Sequence, residues 1–170
     1  DPQPEDLYKV GTVAKIMRMI KLPDGNITVI LQGMKRFKVK NYVTDDPYFK
    51  AEVEILSEKV PTSRNKEYPI IIDSIRDLAF QIVEENPMLP SEAASAIKSI
   101  ESNTFLINFV ASNLMLELEE KQLLLEISDM KLRAIEVMRF MNLELQKLEL
   151  KNTIQNKVRK ELDQQQKEYF

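Results

Sequence analysis

The stretch SDMKLRAIEVMRFMNLELQKLELKNTIQNKVRKELDQQQKEYF, residues 128–170, decides the fold. It contains no Gly and no Pro, and most of its positions hold Leu, Met, Lys, Glu, Gln or Arg, which lose little side-chain freedom in a helix. Ser128 or Asp129 can accept hydrogen bonds from the free N–H groups of the first turn. We therefore predict one helix over residues 129–170, roughly 60 Å long at 1.5 Å per residue, which must project beyond a small domain.

The apolar pattern of this helix changes near Lys151. Before that residue, apolar side chains cover more than one helical face, which predicts packing against two neighbours. After it only Ile154, Val158 and Leu162 recur, every fourth residue, among charged residues. The second half is therefore expected to be solvated and to connect bodies or meet a partner helix. The alternative is an ordinary helix that folds back on its own domain.

The composition excludes several classes of function. The 170 residues are 44% hydrophobic and 30% charged, which suits one or two small domains with a core. A net charge of −3 makes nucleic-acid binding by a general basic field unexpected. Without Cys or His there are no disulfides, thiolate nucleophiles, His-based triads or usual zinc ligand sets. No long apolar run or signal-like segment is present, so we expect no membrane contact and a cytoplasmic location.

Alternating apolar and polar residues predict an antiparallel β unit over residues 10–56. Four strands are expected, at residues 10–20, 27–31, 37–43 and 49–55, with a turn at residues 22–26 in which Gly25 takes a positive φ. Gly33 is expected to end the second strand or to bulge it. On the first strand, strict alternation places Ile16 on the more apolar face and Met17 and Met19 on the opposite one.

The period changes to that of a helix from Ile70 onward. A first helix is expected to stop at Asn86, before Pro87, and shorter ones to follow, with Ser91 and Asn103 as caps. The predicted fold class is α+β, with three domains: a partial β subdomain at residues 1–60, a helical bundle at 61–128 and the long helix at 129–170.

No catalytic or phosphate-binding motif is present. The sequence lacks G-x-x-x-x-G-K-[ST] and G-x-S-x-G, so neither ATP binding by that route nor catalysis is expected within these residues. Asp45 and Asp46 stand beside a proline and are expected to form a turn. Arg36, Lys38 and Lys40 share one strand face, which permits a phosphate-binding strip, although a solvated sheet face is the favoured interpretation. No cofactor or metal is expected in this chain.

Methionines suggest a further property. Flexible, polarizable thioethers suit a surface that accepts many apolar sequences, and Met17, Met19, Met34, Met138 and Met141 are candidates for such a surface. Core filling is the alternative for each of them.

Several stretches, in order, resemble the N-terminal region of the ATP-dependent Lon protease. They are DLYKVGTVAKI at residues 6–16, LPDG at 22–25, GMKRF at 33–37, ASNL at 111–114, EKQLLLE at 120–126, KVR at 157–159 and QKEY at 166–169. The resemblance covers nearly the whole chain, and these motifs in register are specific where any one alone would be weak.

The resemblance implies a PUA-like β subdomain, a helical subdomain and a long helix leading to an AAA+ ATPase module, which uses ATP and Mg²⁺, and to a Ser-Lys peptidase module. Both modules would follow Phe170, and the family's first strands would precede Asp1, so the sheet is expected to be incomplete. An incomplete sheet exposes unpaired strand edges and apolar surface. We expect a partner copy to cover it by strand exchange or helix pairing, within a parent that forms a homohexamer.

The resemblance also implies that the region recognises and tethers misfolded, damaged and short-lived regulatory proteins. The candidate substrate contacts are Met17, Met19, Met34 and Phe37 on the β unit and Met138, Phe140 and Met141 on the long helix. Two alternatives stay open: a stand-alone PUA-like module that binds a ligand, and a helical scaffold whose long helix forms a coiled coil.

Overall fold

A computed structural model describes residues 1–169, and the chain separates into two compact units, Asp1–Lys59 and Val60–Phe170. The first unit contains a short 3₁₀ turn and three strands: Pro4–Asp6, then β1 (Val10–Lys21), β2 (Ile27–Thr44) and β3 (Lys50–Ile55). The second contains five helices: α1 (Glu67–Glu85), α2 (Glu92–Ser99), α3 (Asn103–Asn113), α4 (Leu118–Glu126) and α5 (Met130–Glu168). The predicted α+β class is confirmed.

The sheet is antiparallel, with β2 in the centre of the order β1-β2-β3. The prediction of separate strands at residues 27–31 and 37–43 is wrong, because β2 is one strand of 18 residues. Gly33 lies beside a register shift at Val13/Ala14, where Met34 has no partner, so the strand bulges there and continues.

A second bulge changes which residues of β1 share a face. The register shifts between Ile16 and Arg18, so Ile16 pairs with Leu31 and Met19 pairs with Val29. Leu31 and Val29 are two residues apart on β2, so their side chains lie on the same face of the sheet. Directly paired residues also share a face, so Ile16 and Met19 lie on that face as well. The strict alternation expected for this strand is therefore wrong, because the extra residue at the bulge inverts it.

The turn between β1 and β2 has the expected geometry. Gly25 has a φ of +88°, and its N–H donates to the carbonyl of Leu22 over 3.0 Å. Asp24 accepts hydrogen bonds from the backbone and side-chain N–H groups of Asn26, which hold the pKa of its carboxyl below the usual value. The turn is thus fixed locally.

The core of the second unit is built around α1 and the first half of α5. Its most deeply buried side chains come from α1, α3 and α5: Ile75, Leu106, Ile107, Met130, Val137 and Met141. Arg133 of α5 is buried, and its guanidinium donates to the carbonyl of Ile127 and to Asn108 Oδ1. Such pairing satisfies a charge that would be costly if it were buried alone.

Helix α5 begins directly after Asp129, one of the two expected capping residues. Asp129 Oδ1 accepts hydrogen bonds from the backbone N–H groups of Lys131 and Leu132, at 2.9 and 3.1 Å. The helix has 39 residues, or about 58 Å at 1.5 Å per residue. Its last expected residue, Phe170, lies outside the described residues.

The two halves of α5 differ as the sequence predicts. The first half contributes to the core, and Asn152 still donates hydrogen bonds of 2.8 Å to the carbonyl and carboxylate of Glu85 on α1. From residue 153 to residue 169 every side chain is exposed. Because the first half completes the core of the helical bundle, α5 and the bundle form one unit, whereas the sequence suggested a boundary after residue 128.

Two helix caps differ from the prediction. Ser102 caps α3 by accepting from the backbone N–H of Phe105 over 3.2 Å, one residue before the expected Asn103. Ser91 precedes α2 as expected, but its side chain makes no capping hydrogen bond. Among residues 1–169, no helix combines the length and apolar character needed to cross a bilayer.

Candidate functional site

Strands β1 and β2 continue as a two-stranded ribbon beyond the residues of β2 that pair with β3. Only Phe37 and Lys38 on β2 have registered partners in both neighbouring strands. The segments of β1 and β2 at residues 12–21 and 27–36 pair with each other and with no third strand among the described residues. We call these two segments and their turn the ribbon.

One face of the ribbon is apolar, and we call its five apolar residues the hairpin face. The pairs Ile16–Leu31 and Met19–Val29 lie on this face, followed by Lys21–Ile27 toward the turn. The exposed fractions are large for apolar side chains: Ile16 59%, Met19 61%, Ile27 56%, Val29 41% and Leu31 58%. A contiguous exposed apolar patch of this kind is typical of an interaction surface.

The opposite face of the ribbon mixes apolar and cationic side chains. Arg18 pairs with Ile30, Lys15 with Gln32, and Lys35 with Val13. Ile30 and Val13 are exposed by 46% and 41%. The ribbon therefore offers apolar surface on both faces, with three cations on this face and Lys21 on the hairpin face.

A partly buried ion pair lies where the ribbon joins the rest of the sheet. The Arg36 guanidinium donates to the Glu58 carboxylate over 2.6 Å, and the Arg36 side chain is buried while that of Glu58 is 29% exposed. Because the charged groups are within hydrogen-bond distance, the pair holds the segment after β3 against β2.

Three of the predicted contact residues lie on the ribbon and are exposed. Met19 is on the hairpin face, while Met17 and Met34 lie at the two bulges, with exposed fractions of 54% and 59%. Phe37 lies next to the ribbon and is half-buried, since its ring lies over Gly11, where an added Cβ would stand 2.8 Å from the ring carbon Cζ.

The three candidates on α5 belong to the helical unit and pack into or against its core. Phe140 is 5% exposed and Met141 1% exposed, and the half-buried Met138 packs against the same cluster. The hypothesis that Phe140 and Met141 contact substrate on the folded chain is therefore wrong. The cause is that α1, α3 and α4 cover this part of α5, whereas its own pattern does not tell which face is covered.

Four residues of the hairpin face were not among the predicted contact residues: Ile16, Ile27, Val29 and Leu31. The alternation of Ile27, Val29 and Leu31 predicts a strand, but it does not show whether the apolar face of that strand is covered. In the structure the side chains of these residues are exposed on that face.

The described residues hold no group of three or more Asp or Glu side chains placed to bind a metal ion. A shallow cleft of about 580 Å³ lies in the first unit, between the 3₁₀ turn and strands β2 and β3, with Lys9, Lys40, Tyr42 and Glu54 among its lining residues. Its charges are of both signs and it lies away from the hairpin face.

The chain matches the model of a known protein family. Residues 1–143 match the model of the ATP-dependent protease La (LON) substrate-binding domain. The chain therefore belongs to the family of Lon substrate-binding domains.

Curated relatives are Lon proteases of greater length. The chain is 56% identical over 170 residues to the Lon protease of Flavobacterium johnsoniae and 44% identical over 170 residues to that of Cytophaga hutchinsonii. Each alignment covers all of this chain but 21% of the relative, so the chain spans about a fifth of the relatives it matches.

Solved structures show the same fold. The N-terminal domain of Mycobacterium avium complex Lon protease superposes with a TM-score of 0.66 at 18% identity, covering 83% of this chain and 74% of that one. The Lon N-terminal domain protein from Xanthomonas campestris gives 0.55 at 16% identity, covering 81% and 71%.

Proposed function

We propose that this chain is the polypeptide-recognition region of a Lon-type ATP-dependent protease and that it binds misfolded, damaged and short-lived regulatory proteins. The observation that carries the proposal is the exposed hairpin face in a member of a substrate-binding family. Unfolded chains differ from folded ones chiefly in exposing apolar side chains, so an exposed apolar strand pair distinguishes the two.

The chemistry of the parent protein belongs to its other parts. The chain has no phosphate-loop motif, so ATP and Mg²⁺ would be held by an AAA+ module elsewhere in the longer protein. A Ser-Lys peptidase module would cleave the substrate. The role of this chain is then to capture a substrate and hold it near that machinery, in the cytoplasm of a bacterial cell.

Assembly is part of the same proposal. The seam formed by Ile154, Val158 and Leu162 on α5 is exposed by 53%, 49% and 55%, and no described residue covers it. Pairing of this seam with a second copy would support a homohexameric parent. Sedimentation equilibrium of the chain and of Val158→Glu tests this. Dimers that dissociate in the variant support pairing, and a monomer at every concentration contradicts it.

Capture of polypeptide is tested with a chemically unfolded, carboxymethylated protein and the 170-residue chain, by fluorescence anisotropy. The variant Met19→Ser/Leu31→Ser removes two apolar side chains from the hairpin face. Each fully buried side chain of this kind is worth about 1.5–3 kcal/mol, so losing even half of that for both weakens binding by about tenfold or more.

The matched control is Met88→Ser/Leu132→Ser, which removes the same residue types from exposed positions of the helical unit, where they are 87% and 55% exposed. It is expected to bind as the unaltered chain does. Equal affinity of both double variants, with unchanged circular dichroism, would show that the hairpin face takes no part in capture.

The two alternatives predict different results. A PUA-like module for a small ligand would not bind an unfolded protein. A coiled-coil scaffold would lose its function when the α5 seam is altered and keep it when the ribbon is altered. The lengths and names of the relatives favour the protease-associated role over both.

A further inference from the structure

Positive charge is concentrated on the ribbon, although the chain as a whole carries a net charge of −3. Residues 10–40 contain seven Lys or Arg and one acidic residue, Asp24. The acidic residues of the first unit lie elsewhere, for example at Asp45, Asp46 and Glu52. The two kinds of charge are therefore separated along the first unit.

Two of the seven cations are balanced within the fold. Arg36 forms the ion pair with Glu58, and Lys38 lies directly across from Glu54 on β3. Both carboxylates offset positive charge near the base of the ribbon.

Four cations of the ribbon are exposed and form no ion pair with the described residues: Lys15, Arg18, Lys21 and Lys35. Lys21 lies on the hairpin face beside Ile27, and the other three lie on the opposite face among apolar residues. The acidic Asp24 stands in the turn with its carboxylate engaged by Asn26. The ribbon thus carries four exposed cations beside its apolar surface and one carboxylate, that of Asp24 in the turn, which leaves an excess of positive charge.

We propose that the ribbon selects among unfolded chains by charge, binding apolar segments flanked by Asp or Glu and disfavouring those flanked by Lys or Arg. This inference rests on the proposed capture function and names its substrate class. Exposed apolar residues supply the contact area, and an excess of one charge sign raises the local concentration of segments with the opposite sign and penalises like-charged ones.

A polypeptide fits this surface better than a nucleic acid does. Nucleic-acid affinity comes mainly from phosphate contacts by many cations along a groove, whereas this ribbon has four scattered cations between apolar side chains. The backbone phosphates of a nucleic acid also make no favourable contact with the apolar side chains of the hairpin face. The combination of apolar area with a few cations matches acidic-flanked hydrophobic segments.

The experiment uses the 170-residue chain and three labelled peptides with one common apolar core of Leu and Phe. The core is flanked on both sides by Glu, by Ser or by Lys, and affinities are measured by fluorescence anisotropy. Surface ion pairs are individually weak, so three of them acting together give a preference of about tenfold for Glu flanks over Lys flanks in low salt. The preference is expected to shrink near 1 M salt, where the screening length falls to about 3 Å.

Charge reversal on the ribbon is the decisive variant. Lys15→Glu/Arg18→Glu/Lys35→Glu is expected to invert the preference and to leave binding of the Ser-flanked peptide within about twofold, since the hairpin face is untouched and surface pairs act through charge alone.

The matched control makes the same change of charge on exposed positions of α5: Lys157→Glu/Arg159→Glu/Lys160→Glu. It is expected to keep the original preference, which separates a local effect of the ribbon from an effect of net charge.

Each other outcome overturns the proposal in a recognisable way. Equal binding of the three peptides refutes charge selection and leaves capture intact, whereas no binding of any peptide refutes capture as well. A Glu-and-Ser peptide without the apolar core that binds equally well shows a general anion site. Tight binding of a single-stranded oligonucleotide that displaces the peptides shows a nucleic-acid surface instead.

Discussion

Replacing Phe140 with Ala tests whether this aromatic ring stabilises the helical unit or contacts substrate. The ring is 5% exposed, lies in the cluster between α5 and its neighbours, and has the Arg139 guanidinium 4.4 Å from its centroid. Because the side chain is enclosed, Ala at this position leaves a cavity that the surrounding helices fill only in part.

The expected loss follows from that burial. Phe→Ala in a core costs about 3–5 kcal/mol of the free energy of unfolding, which is a large share of the about 5–15 kcal/mol that holds a typical domain together. The control is Leu132→Ala on the same helix, where the side chain is 55% exposed. A surface change of this kind is expected to cost about 0.5 kcal/mol or less.

Urea unfolding followed by ellipticity at 222 nm measures this, since all five α-helices belong to the second unit. With an m-value of about 2 kcal/mol/M, a loss of 4 kcal/mol lowers the midpoint by about 2 M. A variant Phe140→Ala that unfolds with the original midpoint yet no longer binds unfolded protein would refute the assignment to the core and reinstate the ring as a contact residue.

Three further predictions concern the same unit and use the same measurement. Tyr68→Phe should raise the free energy of unfolding by about 1 kcal/mol, because the buried hydroxyl of Tyr68 has no hydrogen-bond partner among the described residues; a loss of stability would reveal a partner. Asp129→Ala should cost about 1 kcal/mol by removing the cap of α5, and Asp129→Asn should restore most of it; equal loss in both would exclude the cap. The Lys131 ammonium donates a hydrogen bond to the Glu67 carboxylate and holds the pKa of that carboxyl below its ordinary value of 4.5. The ion pair therefore stabilises the helical unit above pH 4.5, and this stabilisation is lost as the pH falls through the lower pKa of the folded state. Glu67→Gln should flatten this acid-side dependence, and an unchanged pH profile would show that the pair does not stabilise the unit.

The helices could be predicted from the sequence because each carries its own signals. The stop at Asn86-Pro87 and the start of α5 after Asp129 are local features, and the structure confirms both. Helix α1 begins at Glu67, three residues before the expected change of period at Ile70. The change of pattern at Lys151 also predicted correctly where α5 leaves the core. These features depend on residues close together in the chain.

The sheet was harder because its faces depend on pairing. One unpaired residue at Met17 and another at Met34 move the register, and alternation within a single strand does not show a bulge. For this reason Met19 was placed on the wrong side relative to Ile16. The length of β2 was missed for the same reason, since Gly33 looked equally compatible with a strand end and with a bulge.

The candidate site was predicted in part. Residue type pointed to exposed methionines on the ribbon, where the structure places Met17, Met19 and Met34. Phe140 and Met141 are buried instead, because a helix with apolar residues on several faces can turn any of them to its neighbours. Which face is covered is decided by α1, α3 and α4, at long range in the sequence.

The attachment of the ribbon at one end has a mechanical consequence. Two strands alone resist twisting and bending weakly, and such a pair is only marginally stable by itself, while the pairing with β3 and the Arg36–Glu58 bridge brace the opposite end. We therefore expect the end of the ribbon near its turn to bend more easily than the end braced by β3. If the ribbon captures polypeptides as proposed, this difference would let it adapt to segments of different shape.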